Sequence, residues 1–333
     1  MLEHILQEAT EHIESRFYSE KFNFSYSSIS KLMFSPTLFY RIYILKDRTE
    51  KTQKNLVEGK VIHALLLEPD SFTRDYIVSP TSLPTGKVKD LIDTVYYKNE
   101  SADMTLEECE YDVLSSMISM NYYQALKKDE DRLKKVITAE TRSYWQFLKE
   151  KGTKTLIDEE TYVYCQEAVQ VLNDTPGIRE LLGTDGRTDV DVYNELRMEV
   201  DLPGKVYGLQ GILDNLVIDH KEKTITINDF KTSGKGLKDF KDTIEHFDYW
   251  MQCVIYLYMV ENNYKELIAE GYDLKFNFIV IDKYHNVYPF AVTRDTLMKW
   301  FGRFRDTLGI VSYHYDGNRY KLPHAFDTGA ILL

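Results

Sequence analysis

The sequence predicts a mixed α/β fold: a helical N-terminal half followed by a C-terminal half built on a β-meander. Two observations carry this. Up to about residue 182 apolar residues recur at helical spacing, whereas after Asp189 the period changes to two, with Val190, Val192, Leu196, Met198 and Val200 alternating with polar residues. In addition, no Gly/Ser or Pro-rich linker, repeat or low-complexity run divides the 333 residues. The expectation is one domain over 1–333, mainly helical over 1–185, with an α/β core over 186–310 and a tail over 311–333.

The elements follow in order. Leu2, Ile5, Leu6, Ala9, Ile13 and Phe17 predict an amphipathic helix on the core, with no apolar stretch of signal-peptide type. Residues 27–43 read as helical, with Ser27 or Ser28 as N-cap and a break at Ser35-Pro36. A short helix over 58–67 ends at Glu68-Pro69. Residues 105–126 and 129–149 read as charged, surface-facing helices. Another helix runs over 158–172, capped by Asp158, and Pro176 opens a short one to Leu182. Strands follow over 190–200, 206–218 and 224–231, the last two joined by a polar turn over 219–223. A helix over 247–264, strands over 274–282 and 287–292, and a helix from Thr293 complete the core. Residues 312–333, rich in Tyr and His, read as irregular.

Composition narrows the function only partly. Hydrophobic residues are 43% and charged residues 28% of the chain, an ordinary globular mix. No apolar run is long enough to span a bilayer. Cys109, Cys165 and Cys253 are far apart, which argues against a disulfide framework or a clustered-thiolate metal site and fits a reducing, cytoplasmic location. A net charge of −12 argues against a uniformly basic nucleic-acid coat, but allows a local basic groove.

The chemistry concentrates in residues 208–233. Residues two apart on a strand share a face, so Ile212, Asp214 and Leu216 align on one strand and Ile225, Ile227, Asp229 and Lys231 on the next. In both, a charged residue interrupts an otherwise apolar, buried side. A buried charge is costly unless paired or bound to a metal. Two Asp carboxylates are hard oxygen ligands for Mg²⁺ or Mn²⁺, and Lys231 adds a point charge suited to a phosphate or an attacking water. The plain alternative is an Asp–Lys salt bridge that only shapes the sheet. Gln252 and Tyr256, four apart on the next helix, put two polar tips on one face, as a core rim also does. His63 sits in the otherwise apolar EGKVIHALLLEP, as a hydrogen-bonded core residue or a metal ligand. Glu195, on the polar side of the first strand, is either a solvated residue or a further ligand.

Together and in this order the segments resemble the PD-(D/E)XK nuclease superfamily, specifically its RecE-like (exonuclease VIII) and RecB-like branch of phage type. The resemblance is carried by FSYSSISKLMFSPTLFY (24–40), EGKVIHALLLEPDSF (58–72), the Asp214…Asp229-x-Lys231 core and the Gln252-x-x-x-Tyr256 helix, with GTKTLIDEETY (152–162) as a further likeness. It implies a restriction-endonuclease-like core with a mixed central sheet flanked by helices. It also implies His63, Asp214, Asp229 and the Phe230 carbonyl as metal ligands, with Glu195 as an additional one. Lys231 is then the catalytic lysine, and Gln252 and Tyr256 support it. Two Mg²⁺ or Mn²⁺ ions are expected. Relatives with an iron–sulfur cluster carry Cys near the Ser35-Pro36 position and again near the C-terminus; this chain has neither, so no cluster is expected.

The implied activity is hydrolysis of DNA from its ends, 5′→3′, in recombination or repair, with a single-strand annealing protein and a homo-oligomer as candidate partners. DNA contacts are expected from Lys235, Lys238, Lys241 and Ser28, and a second basic stretch comprises Arg41, Lys46, Arg48, Lys51 and Lys54. Each Lys run also reads as a solvated face. The same core would serve a single-strand or structure-specific endonuclease, or survive in a non-catalytic DNA-binding protein. No G-x-S-x-G, G-x-G-x-x-G or P-loop pattern supports another hydrolase or a transferase.

Overall fold

The computed structural model describes residues 13–47, 54–80, 82–100 and 103–327. The expected N-terminal helix lies outside the described residues as far as residue 12; residues 13–19 are helical (α1), with Phe17 buried and Ile13 exposed. A short strand, β1 (Asn23–Phe24), leads into α2 (Tyr26–Phe34). The N-cap of α2 is Ser25, not Ser27 or Ser28. Its hydroxyl accepts from the Ser28 backbone N–H, and the Ser28 hydroxyl accepts from Ser25 N–H, a reciprocal capping box. The expected break at Ser35-Pro36 is present: Ser35 ends α2 and caps α3 (Pro36–Phe39), which passes into a π-helical turn, Tyr40–Ile44. Helix α4 (Lys54–Leu67) ends before Pro69, as that residue requires.

The chain divides into two compact units, Pro69–Gln166 on one hand and Met1–Glu68 with Glu167–Leu333 on the other. The first holds α5 (Pro69–Asp75), β2 (Tyr76–Val78), α6 (Gly86–Lys98), α7 (Glu110–Ser119), α8 (Asp129–Val136), α9 (Ala139–Lys151) and β3 (Thr155–Ile157), with β2 and β3 paired in parallel. Its helices are not merely surface-facing. Leu91, Ile92, Val95, Val113, Met117, Val136, Trp145 and Leu148 bury a core of their own. Thr138 splits the predicted 129–149 helix with a second capping box. The unit boundary falls inside α10 (Glu159–Asp174), whose start is capped by Asp158 Oδ1 accepting from Thr161 N–H at 2.7 Å.

The other unit continues with α11 (Ile178–Leu181), β4 (Val190–Asp201), β5 (Gly208–Asp219), β6 (Thr224–Ser233), α12 (Phe240–His246), α13 (Tyr249–Asn263), α14 (Lys265–Ala269), β7 (Asp273–Asp282), β8 (Val287–Ala291), α15 (Arg294–Asp316) and α16 (His324–Asp327). The meander β4–β5–β6 is antiparallel, β7 joins β6 in parallel and β8 pairs antiparallel with β7, so the central sheet is mixed. The last long helix, α15, does not stop near residue 311. It runs to Asp316, because Val311, His314 and Tyr315 continue its apolar stripe into the core. There Val311 and Tyr315 join Phe17, Phe24, Phe39 and Tyr320.

The two edges of β5 are used differently. Since β4 covers one edge along nearly all of β5, β1 and β6 share the other. β1 takes Gly208 and Leu209, and β6 takes Asn215 to Asp219. Residues 210–214 lie in the gap between them. Ile212 there is 40% exposed, so it does not belong to the buried face expected of it.

Candidate metal and nuclease site

Asp214 closes that gap. Its Oδ2 accepts the Phe230 main-chain N–H at 2.7 Å, so the carboxylate bridges β5 to β6 just where their ladder ends. Asp229, on the neighbouring strand, is fully buried, and Lys231 Nζ stands 2.5 Å from its Oδ2. The same ammonium is 3.4 Å from the Phe230 carbonyl oxygen and lies 4.8 Å from the centre of the Tyr249 ring. Tyr249 was not among the residues singled out from the sequence. An aromatic at a helix start carries no signal of its own until the lysine's position is known.

Helix α4 brings in His63. Gly59, one turn earlier on the same face, has no side chain, and a Cβ there would meet Thr232 Oγ1 of β6 at 3.2 Å. The glycine therefore lets α4 sit close against β6, with His63 turned to the cluster. His63 Nδ1 is 3.5 Å from Glu195 Oε1 and 3.8 Å from Asp214 Oδ1. Ligand atoms of His63, Glu195 and Asp214 all lie within 4.8 Å of one another. Glu195 does not stay on the polar side of β4. Its backbone is left-handed (φ 46), which breaks the alternation and turns the side chain toward His63.

The electrostatics of the cluster are those of a cation site. Burial pushes the Asp229 carboxyl up to about 6 against the nearby Lys231 charge, and Asp214 adds to the rise. Burial also works against a charged Lys231, but the Asp229 and Asp214 carboxylates outweigh it and hold the ammonium above its usual range. For His63 burial lowers basicity, and the charge of Asp214 with the Glu195 hydrogen bond more than restores it. Both oxygens of Asp229 are out of solvent; Oδ2 meets only the Lys231 ammonium, and Oδ1 has no hydrogen-bond partner. Three carboxylates thus face one ammonium and one imidazole, and a buried acceptor lacks a donor. Carboxylate oxygens with an imidazole nitrogen form a donor set that fits a divalent cation.

Helix α13 closes the cluster from the sheet's side. A Cβ on Gly211 would meet Tyr256 Cε1 at 2.7 Å and Met259 Cε at 2.9 Å, so α13 lies against β5 at that glycine. Gln252 Nε2 donates to the Tyr256 hydroxyl at 2.9 Å, and Gln252 Oε1 is buried without a partner. Burial, reinforced by Asp214 and Asp229, holds the Tyr256 phenol well above its usual value, so it stays a proton donor.

The other expected contacts are placed differently. Lys235, Lys238 and Lys241 are exposed just beyond β6, in the turn and helix that follow it. Ser28 is 1% exposed and its hydroxyl is engaged in the α2 cap, so it offers nothing to a ligand. Of the second basic stretch, Arg48 and Lys51 lie outside the described residues, and Arg41 is paired with Asp47 at 2.6 Å. Cys109, Cys165 and Cys253 are all buried and form no disulfide among the described residues.

A further feature was invisible in the sequence. Asn194, Asn215, Asn228 and Asn277 stand side by side on β4, β5, β6 and β7. Asn215 donates to Asn194 at 2.8 Å, Asn228 to Asn215 at 2.8 Å, and Asn277 to Asn228 at 3.0 Å. This amide ladder crosses the sheet next to Asp214 and Asp229 and fixes their strands in register.

Among curated proteins no sequence matches this one. A solved protein from Eubacterium rectale, provisionally described as an exonuclease, superposes with a TM-score of 0.48 at 11% identity, over 95% of this chain and 91% of that one. The sequence pattern of the PD-(D/E)XK nuclease superfamily matches residues 23–309, which span α2, α4, the meander, α13 and most of α15. With that match over most of its length, the chain belongs to the PD-(D/E)XK nuclease superfamily.

Proposed function

We propose that the protein is a divalent-metal-dependent DNA exonuclease of the RecE-like branch, cutting phosphodiester bonds from DNA ends with 5′→3′ polarity. The observation that carries the metal-dependent nuclease reading is the pairing of Asp214 and Asp229 across the opened β5–β6 edge, with Lys231 on the same strand and an acceptor of Asp229 left without a donor. Asp214, Asp229, Glu195, His63 and the Phe230 carbonyl would hold Mg²⁺ or Mn²⁺, as one or two ions. Bound there, the metal supplies a more acidic water and neutralises charge on the scissile phosphate.

The chain's own groups do the rest. Lys231, kept charged by its neighbours, faces the phosphate or the attacking water and offsets the charge that builds up on oxygen. His63 and Glu195 orient each other across the site. Gln252 and Tyr256 act as positioning residues: the phenol oxygen accepts from Gln252 Nε2, and the Gln252 carbonyl, buried without a partner, would take up a proton donor from water or substrate. Lys235, Lys238 and Lys241 track the DNA backbone away from the site. Action on ends, polarity and a role in recombination with a single-strand annealing partner rest on the likeness of the motifs around His63 and Gln252 to exonuclease VIII-type enzymes.

The test uses end-labelled linear duplex, single-stranded and closed circular DNA with Mg²⁺, Mn²⁺ or EDTA. The reading expects linear DNA to be lost from its ends and circles to survive, with the order of label release giving the polarity. Cutting of closed circles would make the protein an endonuclease instead.

A further inference from the structure

We infer that Phe247, with Tyr249 beneath it, forms a stacking platform for an unpaired nucleobase next to the scissile phosphate, so that the site takes a single strand or a melted end. This rests on the nuclease reading and adds a base-binding subsite to it.

Phe247 is 49% exposed at the start of α13. Lone exposed apolar residues are ordinary, but this one is held in place from several sides. Its ring stacks on Tyr249 with centres 5.5 Å apart and planes at 26°, and His246 meets it edge-on at 4.7 Å. Tyr249 is the ring over which the Lys231 ammonium sits, at 4.8 Å. Two ring contacts therefore lead from the lysine that faces the phosphate to a partly open aromatic face.

The backbone is fixed as well. Asp248, between the two aromatics, is left-handed (φ 55, ψ 33), a conformation that non-glycine residues adopt reluctantly. Hydrogen bonds on both sides hold it there. Asp248 Oδ1 accepts from Trp250 Nε1 at 2.8 Å, Asp248 O accepts from Met251 N–H at 2.9 Å, and the Tyr26 hydroxyl donates to the Phe247 carbonyl. Trp250 is itself covered by Arg303 at 4.0 Å, which Glu245 holds at 2.9 Å. The turn's effect is to place the Phe247 ring on Tyr249 rather than in the core.

A nucleobase is the occupant that fits. A half-exposed flat ring two contacts from the Lys231 ammonium offers a nucleobase a stacking face on the same side-chain network that faces the phosphate. Aromatic stacking accepts any base, as an exonuclease requires. Paired bases inside a duplex have both faces covered by neighbours, so only an unpaired or terminal base can use the platform. Exposed Lys235, Lys238 and Lys241 supply phosphate contacts beyond β6.

The test measures binding in EDTA, where no chemistry intervenes. Single-stranded oligonucleotides carry 2-aminopurine at successive positions, and wild type is compared with Phe247→Ala, Phe247→Leu and Phe247→Trp. Wild type should quench the probe at one position near the end. Phe247→Ala and Phe247→Leu should lose that quench and weaken single-strand binding about 5- to 100-fold, while Phe247→Trp keeps both. Leucine retains apolar bulk, so its failure separates stacking from packing, and equal melting temperatures verify folding. If Phe247→Ala binds and quenches like wild type while wild type cleaves DNA, the platform is refuted and the nuclease reading stands. If wild type neither binds nor cleaves any DNA, both fall.

Discussion

Replacing Asn228 with alanine tests the amide ladder that keeps the site's strands in register. Asn228 is fully buried. Its Nδ2 donates to the Leu181 carbonyl at 2.7 Å and to Asn215 Oδ1 at 2.8 Å, and its Oδ1 accepts from Asn277 Nδ2 at 3.0 Å. The substitution removes three hydrogen bonds, each worth about 1 kcal/mol net, and strands two buried acceptors and a donor at a further cost of about 1 kcal/mol or more each. The two terms count the same desolvation in part, so the expected loss is about 3–5 kcal/mol. Asn194, at the exposed end of the same ladder, provides the control: it makes two side-chain hydrogen bonds, to the Leu67 carbonyl and from Asn215, and Asn194→Ala should cost about 1–2 kcal/mol. The two units complicate a simple unfolding curve. Working in a Trp145→Phe background leaves Trp250 and Trp300, both in the unit that carries the site, as the fluorescence probes. Urea unfolding then gives the difference for that unit. A loss below about 1 kcal/mol for Asn228→Ala would show that the ladder does not stabilise the sheet and would refute the reasoning.

Other outcomes come from the same geometry. Lys231→Met should reduce cleavage by about 100-fold or more, in the range of losing a preorganised charge contact; calorimetry with Mn²⁺ should show binding retained or tightened, since a competing cation is gone. The pH dependence has a defined sign. Asp229 is raised to about 6, and His63 is raised as well, so in EDTA the native state holds more protons than the unfolded one between about pH 4 and 7. Metal-free stability should therefore fall as pH rises through that window, by about 3 kcal/mol from Asp229 alone. Mn²⁺ should restore it above pH 6, where the carboxylate is ionised, and have little effect at pH 5; thermal unfolding with and without the ion measures both. Gly211→Ala should cost about 1–3 kcal/mol and lower activity, because the flexible Met259 can yield but the Tyr256 ring at 2.7 Å cannot without moving. Unfolding and cleavage assays together check it.

How much of this the sequence revealed depends on the element. The meander and its two carboxylates were legible because period-two alternation broken by Asp214 and by Asp229 with Lys231 is a local signal. His63 emerged from its motif, and the structure supplies the reason for the glycine before it. Within the unit over Pro69–Gln166, residues 105–126 and 129–149 read as charged surface helices. Their apolar positions, such as Val113 with Met117 and Trp145 with Leu148, are correctly spaced, but the charges of 107–112 and 127–135 dominate the composition there. Helix α6 and the β2–β3 pair were not anticipated at all. Glu195 was placed on the wrong side because one left-handed residue reverses the alternation, and no side-chain pattern announces that. Ser25, Ser27 and Ser28 are equivalent as caps by type; only the reciprocal bond to Ser28 selects Ser25. The asparagine ladder and the Tyr249–Lys231 contact exist only in register, which a single strand's sequence does not contain.

A divalent metal and the Asp214–Asp229–Lys231 cluster are together proposed to cut DNA. Single-turnover cleavage of a labelled linear substrate by wild type and Asp229→Ala, in Mg²⁺, Mn²⁺ and EDTA, tests it most directly. Wild type should cleave rapidly with either ion and not at all in EDTA, and a folded Asp229→Ala should not cleave under any condition. Undiminished cleavage by Asp229→Ala, or by wild type in EDTA, would contradict it. So would a wild type that binds DNA and leaves it intact with every ion, which would reduce the cluster to a structural charge network.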